Sequence, residues 1–360
     1  MTDLAKGPGK DPGSRGITYA SAGVDIEAGD RAIDLFKPLA SKATRPEVRG
    51  GLGGFAGLFT LRGDYREPVL AASSYGVGTK LAIAQAMDKH DTVGLDLVAM
   101  VVDDLVVCGA EPLFLLDYIA VGRIVPERLS AIVAGIADGC MRAGCALLGG
   151  ETAEHPGLIE PDHYDISATG IGLVEGDNVL GPDRGKPGGV IIAMGSSGLH
   201  SNGYSLVRKV LLEIDRMNPG RSCGEFGRTL GEELLEPTRI YCLALAAETR
   251  VRTFCHVTGG GLAGSRNRRM ASSPRSTAAP GHHAGIHRDC PARPGPGAQR
   301  WRRPFNMGVG IVAVVAPRRH DARPGRPDRA APGLLGDGNR LQGGRNRTPR
   351  ARLVGQHPRF

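Results

Sequence analysis

Apolar residues recur along this chain at two spacings, and each spacing predicts its own elements. From Pro126 to Arg142 the apolar positions Leu129, Ile132, Val133 and Ile136 fall on one face of a helix. Pro126 suits the first turn, and Gly144 marks the stop. Cys145–Leu148 then reads as a short buried strand. Leu95–Cys108 is a second helix, with Val98, Val101, Val102 and Leu105 inward and Gly109 ending it. Leu113–Val121 is a strand. Gly189–Met194 is another, following the Gly/Pro-rich connector Gly181–Gly188. Ser205–Ile214 is a helix whose apolar set is Leu206, Val207, Val210, Leu211 and Ile214. Strands alternate with helices, so the fold class is mixed α/β (α+β).

The pattern fails after Gly264. Ser265 to Arg303 is rich in Arg, Pro, Gly, Ala and His and keeps neither period. A clean buried-strand pattern returns at Phe305–Pro317, and Arg/Pro/Gly text resumes from Arg318 to about Thr348. Charge sharpens the division. Residues 265–360 carry 20 Arg, no Lys, 4 Asp and no Glu, or +16, whereas everything before them nets −8. The part with readable motifs is therefore acidic, which argues against nucleic acid as its partner. A disordered basic arm and an RNA-binding tail are two readings of the basic blocks, but stacking on bases needs aromatics and only Trp301 is offered. The absence of Lys and Glu beside abundant Arg, Pro, Gly and Ala favours a third, a shifted reading frame over 265–304 and 318–349.

With 360 residues there is room for two ordinary domains. Aromatic content is 4%, so the core is built from Leu, Val, Ile and Ala. Residues 1–16 read as a disordered polar tail and not as a signal peptide, and no run approaches the roughly 18 apolar residues of a membrane span. Seven cysteines without a CxxC pair fit a reduced, cytoplasmic protein.

Several short motifs put polar groups beside glycine turns. Gly50–Gly57 is a glycine-rich loop of the sort that lets backbone N–H groups approach phosphate, without the Gly-Lys-Ser/Thr of a P-loop. Gly76-Val-Gly-Thr-Lys80 sets a lysine after a tight turn, as a phosphate contact or as a solvated surface group. Asp103 and Asp104 sit in an apolar helix. A carboxylate there is costly unless paired or metal-bound, and Mg²⁺ takes one or two carboxylates plus phosphate oxygens. Adjacent helix positions point about 100° apart, so Asp103 is expected to face solvent and Asp104 to serve the site. Glu151 and Glu154 follow a double glycine, as site carboxylates or as helix-start groups favoured by the dipole; His155 reads as structural. In Ser196–Arg208, Ser201 or Asn202 is expected to cap the helix and His200 to stand at the mouth of a site, where it could move protons.

In that order, these pieces resemble the phosphoribosylformylglycinamidine cyclo-ligases (AIR synthetases). Ala22–Ile26, Arg45–Val48, Pro237–Tyr241 and His256–Gly261 add to the likeness, which spans roughly Ile17–Gly264 and the Phe305–Pro317 island. The resemblance implies a two-domain PurM-like subunit, with an N-terminal ATP-binding and dimerisation domain over 17–180 and a C-terminal α+β domain over 181–360. It implies a homodimer whose N-terminal sheets join into a β-barrel, and the use of ATP and Mg²⁺ to close formylglycinamidine ribonucleotide into aminoimidazole ribonucleotide. By position, Gly51, Gly53, Gly54 and Lys80 would hold nucleotide phosphates. Asp104 and Glu151 would serve metal and nucleotide, with Asp104 and His200 catalytic, and Ser201 and Asn202 would lie near substrate.

The chain departs from the pattern in places. Ser74-Tyr75 stands where the family has Thr-Asp, and a phenol with a pKa near 10 is a poor replacement ligand. Tyr241 runs straight into Cys242, without a few family residues that include a lysine. The Gly259–Gly261 loop leads into the basic text, which replaces much of the second half of the C-terminal domain. The Gly189 strand and Ser205 helix are therefore expected to lack partners. A non-catalytic dimerising remnant is the rival reading. A selenophosphate synthetase or thiamine-phosphate kinase is a third; the former would need a Cys or selenocysteine beside the glycine loop.

Overall fold

A computed structural model describes residues 19–51, 54–185, 190–224, 226–246, 251–261, 277–278, 303–316, 341–342 and 350–351. Residues 1–16, Gly53, Gly189 and nearly all of 265–304 and 318–349 lie outside them, as do the expectations placed on those residues.

In the N-terminal half, helix α1 (Ile26–Ala40) precedes strand β1 (Pro68–Gly76). Helix α2 (Val93–Val107), strand β2 (Glu111–Val121), helix α3 (Pro126–Ala143), strand β3 (Ala146–Glu154) and strand β4 (Tyr164–Glu175) follow. The sheet order is β1-β4-β2-β3, with β2 and β3 parallel across α3 and the other pairs antiparallel. Among the described residues this sheet is open and closes no barrel within one chain.

Helices α2 and α3 cover one face of the sheet. Val98, Val101, Val102 and Leu105 of α2 and Leu129, Ile132, Val133 and Ile136 of α3 are buried, as the periodicity predicts. The two helices cross at glycines: a Cβ on Gly94 would overlap the backbone of Gly135 and Ile136. Gly144 caps α3 with φ +72°, a left-handed conformation that glycine adopts freely.

Three expectations change. Strand β3 does not stop at Leu148 but runs through Gly149-Gly150 to Glu154, so Glu151 is on a strand and not at a helix start. Glycine is required there, because a Cβ on Gly150 would overlap the Asp117 carboxylate on the paired strand. Asp103 does not face solvent. Helix α2 is walled by the sheet, by α3 and by the Cys242–Ala246 helix, which leaves no open side for Asp103; it is fully buried and accepts the Tyr241 N–H at 2.9 Å. Burial pushes its carboxyl up to about 7.

In the C-terminal half, strand β5 (Val190–Gly195) leads to helix α4 (Tyr204–Val207), which widens into a π-helical segment over Arg208–Ile214. The i→i+5 winding rotates later residues off the α-helical face. Val207 and Leu211 stay buried, whereas Ile214 is exposed. Strands β6 (Val251–His256) and β7 (Val309–Val315) complete a sheet of order β6-β7-β5 with Leu341–Gln342 at the β5 edge. The island at Phe305–Pro317 is thus a central strand. It supplies the partner that β5 was expected to lack, and Tyr204, Val207 and Leu211 join a core cluster shared with Val101, Leu105 and Ile132. No described helix is long and apolar enough to cross a membrane.

Candidate nucleotide and substrate site

The chemistry-bearing residues collect where α2 and the end of β1 meet the Ser196–Gly203 loop, the Glu236–Tyr241 segment and the end of β6. Asp104 is the carboxylate that reaches this junction with part of its surface open, its side chain 34% exposed. His256 Nδ1 lies 2.9 Å from Asp104 Oδ1, and Ser73 Oγ donates to Oδ2 at 3.3 Å. The buried His256 Nε2 has no hydrogen-bond partner among the described residues. A carboxylate offers about four lone-pair sites, so Asp104 keeps acceptor capacity after both contacts.

Tyr75 fills the position beside this pair. Its hydroxyl donates to the Ser201 carbonyl at 3.1 Å, and burial raises its pKa above the ordinary phenol value. The group therefore stays a neutral O–H that ties β1 to the loop, and it is not an anionic ligand.

Lys80 is not a surface lysine, and its ammonium is spent inside the protein. It is wholly buried, 2.7 Å from Asp96 Oδ2, and it donates to the carbonyls of His200 (3.2 Å) and Glu236 (2.8 Å). An ammonium has three protons, and these partners use them all. Desolvation lowers its pKa against the pull of Asp96.

His200 is turned inward and does not stand at a mouth. It is 1% exposed with φ +62°, its Nε2 accepts the Ser197 N–H at 3.2 Å, and its ring rests against Tyr241. Neither Ser201 nor Asn202 caps α4: Gly203 is the N-cap, with φ +87° and no side-chain cap bond. Ser201 Oγ is instead 3.0 Å from Thr238 Oγ1. The Asn202 amide Nδ2 is buried and has no partner among the described residues.

Gly51 and Gly54 lie on an exposed loop, and a Cβ on Gly51 would meet nothing within 4 Å. Glu151 sits on the other side of the N-terminal sheet from Asp104. It pairs with Tyr118, which alternates with the buried Leu115 and Ile119, whereas Ser73 is on the face covered by α2 and donates to Asp104 of that helix. Asp104 and Glu151 of one chain therefore do not converge on one ion. Among the described residues no cluster of three or more His, Cys, Asp or Glu could hold a metal alone. Asp104 still fits Mg²⁺ whose remaining ligands are phosphate oxygens and water, the usual arrangement for that ion.

Asp96, Thr238, Ser73 and the pairing of His256 with Asp104 escaped the sequence reading. The signal for Asp96 was the one used for Asp104, a lone carboxylate in an apolar helix.

The family profile described as AIR synthase related protein, N-terminal domain, matches residues 56–174, and the C-terminal domain profile matches 186–325, past Gly264. A phosphoribosylformylglycinamidine cyclo-ligase of Anaeromyxobacter dehalogenans is 50% identical over 325 residues, covering 84% of this chain and 89% of its own. That of Thermosynechococcus vestitus is 46% identical over 315 residues, covering 83% and 89%. Thiamine-monophosphate kinase from Stenotrophomonas maltophilia shares the fold at a TM-score of 0.56 and 18% identity, over 81% of this chain and 87% of its own. Hydrogenase maturation protein HypE in complex with ATP shares it at 0.52 and 19%, over 82% and 80%. With both halves matched in order and relatives at this identity spanning most of the chain, the protein belongs to the AIR synthase family of phosphoribosylformylglycinamidine cyclo-ligases.

Proposed function

We propose that the chain closes formylglycinamidine ribonucleotide to aminoimidazole ribonucleotide with ATP, at the junction of its two halves. The observation that carries this reading is the 50% identity running through both halves. The γ-phosphoryl group of ATP passes to the formyl-amide oxygen, leaving ADP. The ring-forming nitrogen attacks the activated carbon and loses a proton, and the C–O bond breaks to release phosphate.

Phosphoryl transfer is largely a matter of positioning and charge stabilisation. Asp104, held by Ser73 and His256, is the residue that would face the Mg²⁺–nucleotide, and bound Mg²⁺ would draw charge from the transferring group. Gly51 and Gly54 offer backbone to phosphate without side-chain obstruction, with Gly53 between them. Asn202 offers its unspent amide donor to substrate. Glu151 would serve a nucleotide site only across a subunit boundary, and His200 would act through loop shape and not by direct proton transfer.

A homodimer fits the exposed sheet face, where Leu70 (62%), Leu116 (41%) and Tyr118 (40%) stand open. Two such faces packed together would make the barrel that one chain does not close. ADP release that requires formylglycinamidine ribonucleotide, and that thiamine monophosphate does not elicit, tests the activity. Release without that nucleotide would overturn it.

A further inference from the structure

The buried Lys80–Asp96 pair spends its bonds on the opposite half of the molecule. Both side chains are 0% exposed. Asp96 Oδ1 accepts the Thr238 N–H at 2.8 Å, the Thr238 hydroxyl at 2.6 Å and Lys80 Nζ at 2.9 Å. Lys80 in turn fixes the carbonyls of His200 and Glu236. The Ser197 hydroxyl donates to the Pro237 carbonyl at 2.6 Å, so the Ser196–Asn202 loop and the 236–238 segment are tied to each other and to this pair.

Proton counting then orients the loop. A threonine hydroxyl has one proton, and that of Thr238 is committed to the Asp96 carboxylate, which has none to give. Ser201 must therefore donate to Thr238 across their 3.0 Å contact. The Ser201 hydroxyl is left with lone pairs only and cannot donate to a phosphate. Two side-chain donors of the loop are buried without a partner among the described residues, the Ser196 hydroxyl and the Asn202 amide Nδ2; of these Asn202 directly follows Ser201 and stands next to Gly203, the N-cap of α4.

We infer that Asp96 is a positioning residue for the substrate loop. Through Thr238 it sets the Ser201 proton, and through Lys80 it fixes the His200 carbonyl, so that Asn202 is presented as the donor to substrate. The loop's substrate role rests on the function proposed above; the tie to Asp96 does not. A buried ion pair contributes little to stability against an apolar substitute but can fix one arrangement among several, which is the use made of it here.

The test uses the full chain and two substitutions. T238V removes the hydroxyl at nearly constant shape, and T238S keeps it. Amide hydrogen exchange of peptides over residues 196–203 reads the loop directly. T238V is expected to speed that exchange roughly tenfold or more, since the hydrogen bond lost is one to a charged group and is stronger than a neutral one. Peptides of α3 should be unchanged and T238S should restore protection. In turnover, T238V should raise KM for formylglycinamidine ribonucleotide roughly tenfold while KM for ATP holds, a change worth about 1.4 kcal/mol. Loop exchange at the wild-type rate in T238V overturns the inference. Faster exchange with both KM values unmoved overturns its substrate half. A wild-type chain without turnover overturns the proposed function instead, and exchange still decides the tie to Asp96.

Discussion

Replacing Lys80 with Met separates a structural lysine from a phosphate-binding one. The stem is nearly isosteric, so packing changes little, and what is lost is the ammonium with its three partners, Asp96 and the carbonyls of His200 and Glu236. Asp96 is then left at 0% exposure with only Thr238 donating to it. Removing one member of a buried pair costs about 3–5 kcal/mol, chiefly because the other charge stays uncompensated. At about 2 °C per kcal/mol for a chain of this size, Tm should fall by roughly 6–10 °C. The assay is thermal unfolding followed by circular dichroism, with a urea titration as a check. The double variant K80M/D96L, which removes both charges, should recover the part due to the uncompensated carboxylate but not the part due to the Thr238 N–H and hydroxyl left without an acceptor. A K80M protein that unfolds like wild type yet no longer binds ATP would refute the reasoning and return Lys80 to the phosphates.

Three further substitutions test other parts. Asp103 holds its proton up to about pH 7 when folded but ionises near 3.8 when unfolded. Its contribution to stability therefore falls as pH rises between those values, by at most roughly 4 kcal/mol at 1.36 per unit. D103N should raise Tm at pH 8 and leave it unchanged at pH 4, and equal destabilisation at both would contradict this. G94A forces a Cβ into the Gly135–Ile136 backbone at the α2–α3 crossing; a loss of about 1–3 kcal/mol should appear in urea unfolding, against none if the helices can part. D104N keeps the shape that meets Ser73 and His256 but loses the charge. The Mg²⁺ concentration for half-maximal rate should rise roughly tenfold with Tm within a few degrees, whereas an unmoved Mg²⁺ dependence would take Asp104 out of the metal site.

The elements with a pure period were legible in the sequence. Helix α3, helix α2, strand β2 and the isolated strand β7 appear where their apolar spacing put them. What the sequence hid was tertiary. Gly149-Gly150 looked like a turn because two glycines usually make one, but here a carboxylate on the neighbouring strand needs the space. Asp103 looked solvent-facing because a helix normally has an outer side, whereas α2 is covered at Asp103 and opens only in part at Asp104 and Val107. Lys80 followed a phosphate-loop pattern, yet its destination was set by Asp96, sixteen residues on and invisible as a partner until the fold brings them together. Asp104 was singled out by the rule that a carboxylate in an apolar helix needs a partner or a metal, together with the expectation that Asp103 faces solvent, which its burial overturns. The actual partner of Asp104, His256, comes from the other half of the chain.

The most direct measurement follows product and nucleotide together in one reaction. The purified full chain is given ATP, Mg²⁺ and formylglycinamidine ribonucleotide, and aminoimidazole ribonucleotide and ADP are quantified over time. If the junction between the halves is a cyclo-ligase site, the two appear one for one and both stop when either substrate is withheld. A chain that dimerises and binds ATP but forms no aminoimidazole ribonucleotide would contradict that assignment.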